Sequence, residues 1–141
     1  MSRPFYETKR DRTNEIAAIK MMVGDKYDIR KLPVQYNVDF ALFKDQKLAY
    51  WVEVKCPTHT KDKYPTFIIS AAKIIKGYDL SQKTGAPFVF VVRWSDAIGH
   101  YRVDTLNGIP IKWGGRTDRN DDQDQEPLFF IPIKDFKVKS I

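Results

Sequence analysis

Three side chains in this sequence have the types and spacing for joint chemistry. Asp39 stands 14 residues before Glu53, and Lys55 follows two residues later. Side chains of an extended chain alternate between faces. In a strand from Leu48 to Lys55, one face therefore carries Trp51, Glu53 and Lys55, and the other carries Tyr50, Val52 and Val54. In a preceding strand from Val38 to Phe43, Asn37, Asp39 and Ala41 share one face, and Val38, Phe40 and Leu42 share the other. A three-residue turn, Asp45-Gln46-Lys47, sets Lys44 opposite Leu48 and hence Asp39 opposite Glu53. Directly opposed residues of an antiparallel pair point to the same side. One face of this hairpin is then apolar throughout, and the other gathers two carboxylates and a lysine.

Facing carboxylates repel each other and destabilise a ladder unless something compensates. A divalent cation does so, because hard cations such as magnesium take oxygen ligands. Such a cation polarises a phosphoryl oxygen and acidifies water. A neighbouring ammonium, here Lys55, can orient the attacking water or steady developing negative charge. The set suits phosphodiester hydrolysis. The plain alternative is a surface salt bridge between Lys55 and its acidic neighbours.

The flanking elements must hold this hairpin in place. Glu7 to Met22 reads as a helix, with Ile16, Ile19 and Val23 at helical spacing and Gly24 as its stop. Tyr27 to Leu32 reads as a first strand, and Pro57 ends the Leu48–Lys55 strand. Thr66 to Gln82 reads as a second helix, with Phe67, Ile68, Ala71, Ala72, Ile75 and Tyr78 on one broad face. Phe88 to Trp94 is nearly continuous apolar sequence, as in a strand covered on both faces. It follows a helix, so a parallel crossover is expected. Gly99 to Asp104 reads as a further strand, Gly114 to Glu126 as a mobile polar loop, and Leu128 to Ile133 as a last edge strand. The expected fold is an α/β domain with a mixed central sheet flanked by helices, a single domain over residues 1–141 with its core at about 7–94.

Composition narrows the function classes. The formal charge is +6, unevenly spread: residues 1–113 hold 19 Lys/Arg against 12 Asp/Glu, and residues 114–141 hold 5 against 6. A basic body suits a polyanionic partner. The single cysteine, Cys56, excludes an internal disulfide and a cysteine-rich zinc site. It reads as a small packed side chain at the strand end. No apolar run reaches the roughly 20 residues of a membrane helix, and the charged N-terminus lacks a signal region. The expectation is a cytoplasmic protein that does not contact membranes. The basic loop His59, Lys61, Lys63 and Tyr64 follows Lys55 and is suited to a nucleic-acid backbone. His59 lacks a second histidine at ligand spacing, and His100 reads as a strand-surface residue. Trp51 is expected to pack under the first helix. The run Asp118 to Glu126 lacks the glycine and terminal glutamate of a calcium loop and reads as solvated.

The pattern Val38-Asp39 followed by Glu53-Val54-Lys55 resembles the PD-(D/E)xK nuclease superfamily, whose members include restriction endonucleases and Holliday-junction resolvases. The superfamily core of helix, three strands, helix and strand corresponds to Glu7–Trp94 here, about two-thirds of the chain. Val38 replaces the proline of the family pattern. The resemblance implies a restriction-endonuclease-like core. It implies magnesium, with manganese able to substitute, on Asp39, Glu53 and the backbone carbonyl of Val54, and Lys55 acting on the water. The first helix of such nucleases often supplies another acid, which points to Glu15 at the edge of the apolar stripe. Their second helix flanks the site, which points to Lys73, then Lys76 and Ser70, as phosphate contacts beside Lys61 and Lys63.

The expectation is a magnesium-dependent endonuclease acting on DNA, structure-selective in the manner of a junction or branch resolvase. Homodimerisation is expected by the same resemblance, as is a phage origin with action in the host cytoplasm. The alternative is a non-catalytic nucleic-acid-binding or assembly protein on the same fold.

Overall fold

The computed structural model describes residues 9–115 and 125–141. Helix α1, Lys9–Val23, ends where Gly24 adopts a φ of 69° and donates its N–H to the Lys20 carbonyl. Strand β1, Asp28–Lys31, pairs with β2, Phe40–Lys44, which pairs with β3, Lys47–Lys55. Then come β4, Thr66–Ser70, helix α2, Ala71–Thr84, and β5, Phe88–Arg93. The chain closes with β6, Ala97–Arg102, β7, Ile111–Gly115, β8, Gln125–Pro132, and β9, Lys137–Ser140. A six-stranded sheet runs β1-β2-β3-β5-β6-β9, and a three-stranded sheet runs β4-β8-β7. In the large sheet only β3 and β5 are parallel, and α2 lies on the crossover between them. Among the described residues, no helix is long and apolar enough to cross a membrane.

The strands alternate as a two-sided sheet requires. Phe40, Leu42, Val52, Val54, Val91 and Ile98 face α1 and bury against Ala18 and Ile19. The opposite face, including Trp51, Phe88, Phe90 and Val92, packs on Ala71 and Ile74 of α2 and on Ile69, Phe129 and Ile131 of the small sheet. Phe67 sits edge-on to Phe90 and Trp94, with ring centroids 5.4 and 6.4 Å away, and so pins the small sheet to the large one. The site strand β3 is therefore covered on both sides, which fixes its side-chain directions.

Several expectations are corrected. Thr66 to Ser70 is a strand, not the start of the second helix. Short apolar runs fit either period, and this β-branched stretch finds a complete partner in β8, from Thr66 opposite Pro132 to Ser70 opposite Leu128. The buried stripe of α2 is accordingly Ala71, Ile74 and Gly77, while Ala72 and Ile75 are exposed. The last-strand segment is central in its sheet, not an edge. Pro127 is tolerated because it lies beyond the end of β4, where β8 has a neighbour on one side only. Gly114 and Gly115 belong to β7, and Gln125 and Glu126 to β8, while 116–124, with most of the acidic run, lie outside the described residues. Strand β9 was not expected. Its lysines suit an edge that must not pair further. Trp51 lies under α2, not α1, and its indole N–H donates to Thr84 Oγ1 at 2.9 Å. Val38 also packs on the α2 side, because Asn37 turns at a φ of 55° and regular alternation begins only at Phe40. Cys56 is exposed. His100 is half-buried and not a plain surface residue; burial, then nearby Lys137, lowers its pKa.

Gly77 marks the tightest approach of α2 to the sheet. A Cβ there would overlap the Phe88 ring, which is fully buried. Gly77→Ala is expected to destabilise the protein by about 1–3 kcal/mol, despite alanine's better helix propensity. Urea unfolding would show this as a lower midpoint at unchanged slope. An unchanged or higher midpoint would mean that Phe88 yields freely.

Candidate active site

The hairpin reaches the expected alignment by a different route. The turn has two residues, Asp45 and Gln46, with φ of 52° and 64°, and pairs Lys44 with Lys47. Such doubly left-handed turns match the twist of paired strands. A bulge then shifts the register: Phe43 faces Leu48, but Leu42 faces Tyr50, so Ala49 is the extra residue. From there Ala41 opposes Trp51 and Phe40 opposes Val52. Continued by one residue, the ladder brings Asp39 beside Glu53. Two residues in the turn and one in the bulge do the work of the expected three-residue turn.

Asp39 is tied to the site strand by backbone as well as register. Its Oδ2 accepts a hydrogen bond from the Val54 N–H at 3.0 Å, and its Oδ1 lies 3.6 Å from the Lys31 ammonium. Lys31 was not singled out in the sequence. The signal was its position at the end of β1, where it pairs with Phe40, next to Asp39.

Glu53 is the one charged residue among the buried ones described, with no exposed surface. Its Oε1 accepts from Lys73 Nζ at 2.8 Å and lies 3.9 Å from Lys55 Nζ. Its Oε2 has no hydrogen-bond partner among the described residues. Burial raises the Glu53 pKa from 4.5 to about 7, the Asp39 charge adds to this, and Lys73 and Lys55 oppose it. For Lys73, burial favours the neutral amine. The attraction of Glu53 and their hydrogen bond, with help from Asp39 and Glu15, more than reverses this and raises its pKa. The two shifts describe one pair: protonated at Glu53 in acid, doubly charged above neutrality.

Val54 directly follows Glu53 and contributes its N–H to Asp39. Glu15 is half-buried on α1 and acts on Lys73 through its charge. Among the described residues no three acids, histidines or cysteines converge tightly enough to form a ready metal-binding group. Ser70 precedes α2 and makes no side-chain cap. Lys76 is half-buried one turn beyond Lys73. Lys61 is paired with Asp62 at 2.6 Å, while exposed Lys63 lies over the Tyr64 ring. The His59 loop is anchored: the His59 carbonyl accepts from Ser95 N–H, and Lys61 N–H donates to Asp96.

Comparison with known proteins adds to this geometry. Residues 1–139 match the model of the family described as "Phage putative PDDEXK endonuclease". The chain belongs to this family. No curated protein matches the PDDEXK chain. Among solved structures it is similar to Hjc of Archaeoglobus fulgidus, a Holliday junction resolvase from an archaeal hyperthermophile. That likeness has a TM-score of 0.53 at 12% identity and covers 85% of this chain and 87% of the other. The restriction-endonuclease-like fold expected from the sequence is thus borne out.

PDDEXK nucleases generally use divalent metals, and the residues at this site fit one. The orphaned Glu53 Oε2 is a buried hard oxygen, and the half-buried carboxylate of Asp39 beside it offers a second hard donor. Lys73 meanwhile supplies the positive charge that a buried carboxylate requires. Lys73→Met removes that compensation. The Glu53 pKa is expected to rise above about 7, by roughly one unit or more. The pH midpoint of metal binding should move up with it, as a titration of magnesium affinity between pH 6 and 9 would report. A midpoint unmoved by the substitution would mean that Lys55 alone balances Glu53.

Proposed function

We propose that the protein is a magnesium-dependent endonuclease that hydrolyses DNA phosphodiester bonds and prefers branched substrates. The observation that carries this reading is Glu53: a fully buried carboxylate beside a second carboxylate, with two ammonium groups within 4 Å. A fold gains no stability from such a group, whereas active sites use such perturbed pairs. Membership of an endonuclease family supports the nuclease class. The fold shared with a junction resolvase over 85% of this chain favours a branched substrate.

Asp39, Glu53 and the Val54 carbonyl would hold the metal, with Glu15 adding negative charge from α1. A bound magnesium or manganese ion supplies electrophilic activation of the phosphate and acidification of water. Lys55, half-exposed at the end of β3, orients the water for in-line attack and offsets charge developing on the phosphate. Water's oxygen forms the new bond to phosphorus and gives up a proton to solvent, as the bond to the leaving deoxyribose oxygen breaks and that oxygen takes up a proton from water. Lys73 balances the charge of Glu53 and would lie toward the phosphate, with Lys76, Ser70, Lys61 and Lys63 further out along the backbone. The 141 residues form one catalytic unit. Two copies acting together cut opposed strands, in the host cytoplasm.

A panel of labelled substrates tests this: single strands, linear and nicked duplexes, flaps and four-way junctions, with magnesium, manganese or chelator. Metal-dependent cleavage, strongest on branched DNA and lost in Glu53→Ala, is the expected result. Absence of cleavage on every substrate, with binding indifferent to chelator, would instead favour a non-catalytic nucleic-acid-binding protein.

A further inference from the structure

Resting on the nuclease reading, we propose that Trp113 is a stacking platform for an unpaired base at the branch of the substrate. Of the three tryptophans, Trp51 and Trp94 are buried, at 8% and 0% exposure, whereas Trp113 is 70% exposed. Ile111, two residues earlier on the same face of β7, is also half-exposed. The indole thus contributes little to the core, and its neighbours leave it clear: Gly114 and Gly115 have no side chains, and Pro127 opposite it is exposed.

Its place in the fold ties it to the candidate active site. Leu128 of β8 pairs with Ser70 on one side and with Lys112 on the other. Trp113 lies one residue further, past the end of β4. Ser70 leads directly into α2, whose first turn carries Lys73 against Glu53. Two strand spacings of about 4.8 Å separate Ser70 from Lys112, so Trp113 stands roughly 10 Å from the start of α2. Base steps of about 3.4 Å put that within a few nucleotides of a phosphate at the site.

The chemistry of the ring decides what it can receive. The exposed indole presents a flat ring without charge. It has nothing to hold a phosphate and is unsuited to tracking a duplex backbone. Stacking on an aromatic needs only the face of a base. Both faces are covered inside a continuous duplex, but one is open where strands part at a branch. The indole accepts the base exposed there.

The test measures binding by the full chain in chelator, so that cleavage plays no part. The ligands are a four-way junction with 2-aminopurine at the branch and a linear duplex of the same sequence. Wild type should bind the junction more tightly and show tryptophan quenching. Trp113→Ala should lower the junction-over-duplex affinity ratio by about 10-fold. Trp113→Phe should retain most of the ratio without the quenching, and Met21→Ala, on the exposed side of α1, should change neither. An unchanged ratio in Trp113→Ala overturns the proposal. So does a wild type without junction preference, or a shift of Trp113→Ala from dimer to monomer in sedimentation, which would assign the indole to a second copy. Loss of the nuclease reading would appear separately, as binding with quenching but no cleavage in magnesium.

Discussion

Glu53→Gln is expected to abolish metal-dependent cleavage and, in chelator, to make the protein more stable than wild type at pH 8. Glutamine keeps the shape of the buried side chain but cannot ionise, so it removes an anionic oxygen from the metal site. The stability effect follows from the raised pKa. In the unfolded chain Glu53 titrates near 4.5, and in the fold near 7. Below pH 4.5 the group is neutral in both states and its stabilising proton is fully present. As pH rises through 7 the folded protein must give up that proton, later than the unfolded chain does. The difference of 2.5 between the two values corresponds to about 3 kcal/mol lost between pH 4.5 and 7. Urea unfolding in chelator at pH 4.5 and 8 should show the loss in wild type and its absence in Glu53→Gln. Magnesium should restore stability to wild type at pH 8 by binding the folded form. Cleavage retained by the glutamine variant would remove Glu53 from the chemistry. A wild-type stability independent of pH would mean that water reaches the buried carboxylate.

Lys55→Met is expected to lower kcat by about 100- to 1,000-fold while leaving magnesium affinity nearly unchanged. The two lysines are not equivalent. Lys73 is hydrogen-bonded to Glu53 at 2.8 Å and is the shorter, more buried contact. Lys55 is 3.9 Å away, more exposed, and projects from the very end of β3. An ammonium at that distance, without a hydrogen bond to the carboxylate, offsets its charge less than Lys73 does and is available to a water or phosphate. Single-turnover cleavage at saturating magnesium, paired with calorimetric metal binding, separates the roles. If Lys55→Met keeps its rate and Lys73→Met loses it, the α2 lysine is the one that acts on the phosphate.

The juxtaposition of Asp39, Glu53 and Lys55 was legible because its logic is local. Asp39, Glu53 and Lys55 follow from alternation along two adjacent strands, and burial on both faces of β3 enforces it. The parallel crossover to β5 was equally plain, since an apolar strand after a helix has few alternatives. What could not be read depends on distant partners. Thr66 to Ser70 becomes a strand only because β8, some 60 residues later, completes its hydrogen bonds. Trp51 could have met either helix, and the choice of α2 rests on Thr84, 33 residues away. Lys73 was expected as a phosphate contact, but its hydrogen bond to Glu53 depends on where β4 ends and the helix begins. The bulge at Ala49 leaves no mark in residue type at all.

That bulge makes the hairpin a parity device. The carboxylates coincide because turn and bulge together contribute an odd number of residues between Leu42 and Tyr50 in excess of strict pairing. Deleting or adding one residue anywhere between Phe43 and Ala49 would carry Glu53 to the α1 side unless the bulge absorbed it, since a slip of one reverses every side chain beyond it. Changes of two would preserve its side while sliding it along the ladder. Length variation in this loop is thus filtered by evenness before it is filtered by sequence, and an unpaired alanine acts as the adjustable digit.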